Sequence, residues 1–170
     1  MSTNWLRYSL FFFLLVILQL CILNKIHLFG FATPLFYIYF ILKLPADMRR
    51  NSLLLTAFLL GLIIDFFSYT LGLNALACTI VGFSRHYVLN AFAPKDMVSS
   101  FAPSVETFGF YLFMRYAAVL VVIHHVVFFV IESFSFFDLL TLVLRIIGSS
   151  ILTLLLTLGT EQLKLDFLQK

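Results

Sequence analysis

Long apolar stretches alternate with short polar connectors along this chain, and the pattern predicts its elements. A helix that crosses a hydrocarbon core of roughly 30 Å needs about 20 mainly apolar residues. Six stretches approach this length, so we expect an all-α integral membrane protein with a single transmembrane domain over residues 1–170. The predicted spans are Leu6–Leu23, Leu28–Leu44, Ser52–Phe67, Leu73–Asn90, Thr107–Ile131 and Phe136–Leu158.

The boundary between the third and fourth spans is the weakest, because only a tight turn from Ser68 to Gly72 separates them. A single re-entrant hairpin over this region is the alternative. The second span contains Pro34, which a membrane helix tolerates where neighbouring helices or side chains satisfy the freed carbonyl.

The composition indicates that water is not the solvent of this protein. Hydrophobic residues make up 62% of the chain and charged residues only 11%. A soluble domain has about 25% charged residues, so this chain cannot cover an ordinary water-facing surface. That excludes a soluble enzyme and a disordered tail. A secreted disulfide scaffold would need more cysteines than Cys21 and Cys78.

The basic residues predict the orientation, because cytoplasmic loops of membrane proteins carry an excess of Lys and Arg. With six spans, eight basic residues fall on one side and only Lys25 on the other. The eight are Arg7, Lys43, Arg49, Arg50, Arg85, Lys95, Lys164 and Lys170. We therefore expect both termini in the cytoplasm. A cleaved signal peptide or a lipoprotein at Cys21 is disfavoured, because Leu18 and Leu20 are too bulky for a cleavage site.

Few ionisable residues fall inside the predicted spans, where each requires a partner or a wet cavity. Asp65 and Arg145 are expected in the outer part of the bilayer, which predicts an ion pair between them. His124 and His125 are the rival partners for Asp65. Such a pair either relays protons or ions, or locks the third and sixth helices together. The lock is favoured, because relays use acidic residues on several helices and Asp65 is the only carboxylate well inside a span.

Polar and small residues recur at every fourth position in three spans and form one ridge on each helix. The ridges are Thr141, Arg145, Ser149, Thr153, Thr157 and Glu161; Asn74, Cys78, Gly82, His86 and Asn90; and Ala57, Gly61, Asp65 and Tyr69. Such residues let helices approach closely and hydrogen-bond across the contact. We expect the ridges to face one another or a partner protein, and the alternative is that they line a ligand cavity.

The remaining polar residues carry no catalytic pattern. Arg115 is expected to extend toward the cytoplasmic side, beside the rings of Tyr111 and Tyr116. His124 and His125 are adjacent, so they point about 100° apart on a helix and cannot form the i, i+4 pair of a zinc protease. The sequence therefore predicts no catalytic residue, no metal site and no cofactor.

The segment Gly61–Leu76, which reads GLIIDFFSYTLGLNAL, resembles the signature of the bacterial rod-shape-determining protein MreD family. In that family a block of Gly, apolar residues, Asp and Ser ends one span, and a turn carrying Leu-Gly opens the next. A second segment, RHYVL from Arg85 with APKD from Ala93, is also compatible. The residues that match the signature are Gly61, Asp65, Ser68 and Gly72. These four, with Asn74, Arg85, Arg115 and Arg145, are the candidate fold-defining or partner-facing positions.

The resemblance implies a non-enzymatic scaffold of the bacterial inner membrane. Such a protein would bind the single-span protein MreC and connect cytoplasmic MreB filaments to the glycosyltransferase and transpeptidase that build peptidoglycan during elongation. The family is also similar in fold to the substrate-binding subunits of energy-coupling-factor vitamin transporters.

A vitamin-binding subunit of such a transporter is the alternative function. It would require an Ala-xxx-Ala docking surface on the first span, but residues 9–20 contain neither Ala nor Gly. A third interpretation is an ion-coupled transporter. The shortage of intramembrane carboxylates and the absence of an internal repeat disfavour it.

Overall fold

A computed structural model of the chain describes residues 2–26, 28, 32–70, 72–93, 101–133 and 138–168, with side chains from residue 6 to residue 166. The described residues form helices and loops, and their only β pairing is an isolated bridge between Leu28 and Ala32. The helices are α1 (Ser2–Cys21), α2 (Ile38–Lys43), α3 (Arg50–Ser68), α4 (Leu73–Phe92), α5 (Val105–Phe108), α6 (Phe110–Ser133) and α7 (Leu139–Leu168), with a 3₁₀ turn at Leu23–Lys25.

Four of the described helices are long and apolar enough to cross a membrane. They cover Leu6–Lys25, Arg50–Ser68, Phe110–Ser133 and Leu139–Asp166. The chain is therefore a multi-pass membrane protein. The 20 residues of α4 equal a span in length, but its hydropathy is lower because Arg85, His86 and two asparagines interrupt the apolar sequence.

Five of the six predicted stretches contain a long helix. The fifth is interrupted at Gly109, whose φ of 72° separates the short α5 from α6. α7 extends past the predicted end at Leu158 to Leu168. The predicted start of the sixth span at Phe136, Leu71 of the turn, and the basic residues Lys95 and Lys170 lie outside the described residues.

The second predicted span is not a continuous helix. Thr33, Pro34 and Leu35 are non-helical, Phe36 and Tyr37 form a turn, and the helix α2 that follows has only six residues. All six residues of α2 except Lys43 are buried, and Ile38, Ile41 and Leu42 have no exposed surface. Non-helical backbone occurs at membrane depth only where protein or a water-filled cavity surrounds it. This segment meets that condition, since it lies inside the bundle.

Small residues determine how α3 and α4 pack. A Cβ atom added to Gly61 would lie 2.5 Å from the backbone nitrogen of Ala75, and one added to Gly82 would lie 3.1 Å from Cβ of Ala57. The two ridges therefore meet at these glycines, which is one of the two arrangements that the spacing predicted, the other being contact with a partner protein. Between the two helices, Gly72 has a φ of 78°, which L side chains rarely adopt.

Packing places α4 and α6 in the middle of the bundle and leaves α1 and α7 at its periphery. α4 packs on both α3 and α6, α6 packs on α7, and α1 packs on α3. The outer faces of α1 and α7 are exposed and apolar. They present Leu6, Leu10, Phe13, Leu14 and Ile17 on α1, and Leu140, Ile147, Ile151, Leu155 and Leu163 on α7. In a bilayer such faces meet lipid or a partner helix.

Candidate functional site

Asp65 fastens the start of α4 to the end of α3. Its Oδ1 accepts hydrogen bonds from the Thr70 hydroxyl (2.5 Å), the Asn74 backbone N–H (3.0 Å) and the Asn74 side-chain amide (2.8 Å). Its Oδ2 accepts from the backbone N–H of Ala75 at 2.8 Å. The first N–H groups of a helix have no intrahelical partner, and the N-cap residue, Gly72, has no side chain to accept from them. Asp65 supplies the missing acceptor, and its negative charge is favourable at a helix N-terminus.

A chain of buried hydrogen bonds continues from this carboxylate into the bundle. The Asn74 amide nitrogen donates to Asp65 and Thr70, so the Asn74 oxygen accepts from the Tyr37 hydroxyl at 2.5 Å. The Tyr37 oxygen also lies 3.0 Å from Nε2 of His124. Because the Tyr37 proton is already donated, Nε2 of His124 carries the proton of this contact. Nδ1 of His124 is then an acceptor, and no partner for it is found in the described part of the chain.

His125 has the opposite tautomer. Its Nδ1 lies 2.8 Å from the carbonyl oxygen of Val121, which can only accept, so Nδ1 carries the proton. In the neutral ring Nε2 is then an acceptor, and it faces the Thr153 hydroxyl at 3.2 Å. The two histidines are fully buried and belong to different branches of the network.

The non-helical segment before α2 is held by side chains from two other helices. Gln19 of α1 donates to the Pro34 carbonyl (2.9 Å), and its oxygen accepts from the backbone N–H of Phe36 (2.9 Å). On α7, Ser149 accepts from the N–H of Thr33 (3.0 Å), and Thr153 accepts from that of Leu35 (3.1 Å). These bonds replace those that a helix would have made internally. They matter because each unsatisfied backbone group in lipid costs several kcal/mol.

Glu161 of α7 is the centre of a second cluster, at the other end of α2. Its Oε1 pairs with the Lys43 ammonium (2.7 Å) and accepts from the Tyr39 hydroxyl. Its Oε2 accepts from the backbone N–H of Val105 at 3.0 Å. Lys43 and Glu161 are almost fully buried, with 12% and 2% of their side chains exposed, so each cancels a charge that would be costly alone.

Arg85 closes the same end of α2. It is 1% exposed, and its Nη2 donates to the Leu44 carbonyl while its Nε donates to the Tyr116 hydroxyl at 3.0 Å. The Tyr116 hydroxyl in turn donates to the Leu42 carbonyl at 3.1 Å. The last carbonyl groups of a helix lack intrahelical donors, and the side chains of Arg85 and Tyr116 supply the missing donors. Arg85, expected at the cytoplasmic surface, is in fact a core residue.

The predicted ion pair between Asp65 and Arg145 is wrong. Both oxygens of Asp65 are occupied by α4 and Thr70, and neither His124 nor His125 contacts it. Arg145 instead pairs with Glu132 at 2.6 Å and stacks over the ring of Phe129, 4.7 Å from its centroid. The pair is about one-third exposed, at the end of α6.

The prediction that Arg115 lies beside the rings of Tyr111 and Tyr116 is wrong for Tyr116. Tyr116 is fully buried and bonded to Arg85, whereas Arg115 and Tyr111 are exposed on the outside of α6. Ser68, the remaining signature residue, accepts a hydrogen bond from the Asn24 side chain at 3.0 Å and so ties α3 to the 3₁₀ turn that follows α1.

The α7 ridge is buried from Ser149 to Glu161. It faces the non-helical segment before α2 rather than the ridges of α3 and α4. Thr141 of the same ridge has a separate role at the start of α7. Its hydroxyl and N–H donate to the exposed Asp138 at 2.5 and 3.1 Å, which lowers the pKa of that carboxyl group below its ordinary value.

Sequence reasoning missed Gln19, Tyr37, Tyr39, Lys43 and Glu161 as partners. Gln19 is the one polar residue in the apolar run from Leu10 to Leu23, and this alone could have marked it. Glu161 stood on the predicted ridge but beyond the predicted end of the span. In the part of the chain that the structure covers, no group of three or more His, Cys, Asp or Glu residues could hold a metal ion.

Two adjacent cavities of about 520 and 540 Å³ lie at the end of the bundle that contains Lys43. Both are lined by Tyr8 and Ala102, and neither is lined by Asp65 or by the two histidines. The polar groups around Asp65 hydrogen-bond to one another.

Comparisons of the chain with protein-family models, curated proteins and solved structures found no match.

Proposed function

We propose that this chain is a non-enzymatic scaffold of the bacterial inner membrane, of the MreD type. It would bind a single-span partner, MreC, and with it connect cytoplasmic MreB filaments to the peptidoglycan synthases of cell elongation. The proposal rests on the resemblance of residues 61–76 to the MreD signature, and the geometry of that segment supports it.

One observation carries the proposal: three of the four signature residues, Gly61, Asp65 and Gly72, together build the α3–α4 hairpin. Gly61 allows the contact with Ala75, Asp65 accepts three hydrogen bonds from the start of α4 and one from Thr70, and Gly72 adopts the left-handed conformation of the turn. Each of the three has a different physical task in the same hairpin, whereas Ser68 bonds to Asn24. A short motif of which three members serve one hairpin is more informative than the same residues dispersed over the fold.

The use of the buried polar groups favours a scaffold over an ion-coupled transporter. Relay groups must gain and lose protons or ions, which requires access to water or a cavity. Both oxygens of Asp65 are occupied by backbone and side-chain donors, and Glu161 is held by Lys43, Tyr39 and Val105. These carboxylates stabilise the starts of α4 and α5, and Glu161 also joins α7 to α2.

The proposed topology has six crossings with both termini in the cytoplasm. The segment from Thr33 to Lys43 follows α7 from Ser149 to Glu161, a rise of about 18 Å. α4 packs along α3 from Ala75, which meets Gly61, to Phe83, whose ring centroid lies 4.5 Å from the Arg50 guanidinium at the start of α3. Counting both as crossings reproduces the excess of basic residues on one side.

The vitamin-binding subunit is the second candidate, and the two cavities are the observation that favours it. Their volumes of about 520 and 540 Å³ lie within the range of about 300–1,000 Å³ typical of small-molecule sites. Against it, the exposed face of α1 presents Leu10, Phe13 and Ile17 instead of small residues.

Native mass spectrometry of the protein, extracted with detergent from its own membrane, separates the two functions. The scaffold proposal expects a single-span protein to remain bound and no stoichiometric water-soluble small molecule. A vitamin-sized ligand at one copy per chain, without a protein partner, would reject the scaffold and support the transporter subunit. A Gly61→Leu variant, which should separate α3 from α4, is the control. If partner binding requires the folded α3–α4 hairpin, this variant should lose the bound protein.

A further inference from the structure

The two adjacent cavities differ in chemistry although they share a wall. The first, which we call the aromatic cavity, is lined by Phe12, Phe13, Phe40, Leu44, Met48 and Phe101. The second, the basic cavity, is lined by Arg7, Lys43 and Lys164 together with Glu106, Ser104 and Thr107. The first offers mainly apolar rings and side chains, and the second offers cations and hydroxyl groups.

The charges of the basic cavity leave an excess of positive charge. Lys43 is neutralised by Glu161, whose other oxygen is taken by Val105. Arg7 and Lys164 are exposed, and no ion pair is found for either within the described ranges. Of the described residues, Glu106 is the carboxylate that lines the basic cavity, and Asp47 lines the neighbouring aromatic cavity. Within the basic cavity, two cations against one carboxylate leave one positive charge, which matches the single negative charge of a phosphodiester.

The two exposed cations of the basic cavity, Arg7 and Lys164, lie near the ends of membrane spans, at the level of the lipid headgroups. Arg7 is the second residue of the candidate span Leu6–Lys25, and Lys164 lies two residues before the end of Leu139–Asp166. Basic pockets between transmembrane helices bind anionic lipid headgroups. The aromatic cavity opens to the outside of the bundle beside the exposed Ser9 and Phe13, where an acyl chain could enter from the bilayer.

We propose that these two cavities together bind one anionic phospholipid. One acyl chain occupies the aromatic cavity, and the phosphodiester lies in the basic cavity between Arg7 and Lys164. The shared residues Tyr8 and Ala102 lie where the glycerol region would pass from one cavity to the other. The bound lipid would join the start of α1 to the end of α7, two peripheral helices that bring their basic residues to the same cavity.

The test measures lipid binding to the purified full-length chain in detergent by native mass spectrometry. Phosphatidylglycerol and phosphatidylcholine with identical dioleoyl chains are the probes. We expect the first phosphatidylglycerol to bind about tenfold more tightly or better, since each cation contributes favourably to an anionic headgroup. Equal affinity for the two lipids would overturn the proposal.

Two pairs of variants locate the site. Arg7→Gln with Lys164→Gln should abolish the preference for phosphatidylglycerol. Arg49→Gln with Arg115→Gln removes the same charge from exposed positions that line neither cavity, and should leave the preference intact. A loss of preference in both double variants would indicate general charge attraction and would reject the site.

The apolar part of the site has its own test. Ser9→Phe should narrow the aromatic cavity and weaken phosphatidylglycerol binding, whereas Leu10→Phe, on the exposed face of α1, should not. Inorganic phosphate at millimolar concentration is the competitor. If it displaces the lipid, the site recognises a free anion and the lipid proposal fails; if it does not, the acyl chain is part of recognition, as proposed.

Discussion

Replacement of Asp65 by Asn tests how this carboxylate holds the α3–α4 hairpin. The Asn side chain has nearly the same shape, but an NH₂ group replaces one of the two acceptor oxygens. In the orientation that preserves more hydrogen bonds, the remaining oxygen still accepts from Thr70 and Asn74. The NH₂ group then faces the backbone N–H of Ala75, which loses its acceptor at 2.8 Å.

The magnitude follows from that lost bond. A hydrogen bond to a charged group contributes about 1.5–3 kcal/mol, and a buried donor left unsatisfied costs about 1–3 kcal/mol. The two quantities describe the same loss, so together they account for about 1.5–3 kcal/mol. The favourable interaction of the carboxylate with the N-terminus of α4, about 0.3–1 kcal/mol, is lost as well, so we expect Asp65→Asn to lower the free energy of unfolding by about 2–4 kcal/mol.

The matched control is Glu132→Gln, which makes the same chemical change in a pair whose side chains are about one-third exposed. An exposed ion pair contributes about 0–1 kcal/mol, so this variant should unfold close to the wild type. The assay is reversible unfolding in mixed micelles, followed by circular dichroism. Equal destabilisation by both variants would refute the assignment of Asp65 as the cap of α4.

Three further outcomes follow from the packing and the network. Gln19→Leu should leave the backbone amide of Phe36 without its acceptor, so hydrogen exchange at that amide should accelerate relative to the core of α6. Unchanged protection of the amide would contradict the role of Gln19. Gly61→Ala should destabilise the protein strongly, because its Cβ would meet the backbone of α4. Gly159→Ala, with open space around it, should stabilise the helix by about 0.5–1 kcal/mol. Thermal unfolding of both variants checks this, and equal effects would refute the close contact. Arg85→Lys should lower the unfolding temperature, since one ammonium group cannot replace donors to a hydroxyl and two carbonyl groups; a temperature equal to that of the wild type would count against this role.

The long apolar helices could be predicted from local sequence, because a helix in lipid satisfies its own backbone. The second span could not. Its backbone bonds go to Gln19, Ser149 and Thr153, which are 15 to 118 positions away along the chain. Hydropathy reports that a segment is buried, but it does not report which groups satisfy the segment's backbone.

The same limit explains the wrong ion pair. Depth along a helix placed Asp65 and Arg145 at similar levels, but depth does not give the direction in which a side chain points. Arg145 turns toward Glu132, and Asp65 turns toward the start of α4. The spacing did predict that Gly61 belongs to a close helix contact, since small residues at every fourth position form a local pattern, but it did not tell whether the neighbour is α4 or a partner protein.

The proposed function is tested most directly by cell shape. Depletion of the protein in a rod-shaped bacterium that encodes it, followed by measurement of cell width and length over several generations, is the experiment. The scaffold account predicts that the cells widen and become round, and that expression of the wild-type chain restores rods. Rods of unchanged width after depletion, together with a new requirement for an external vitamin, would contradict it.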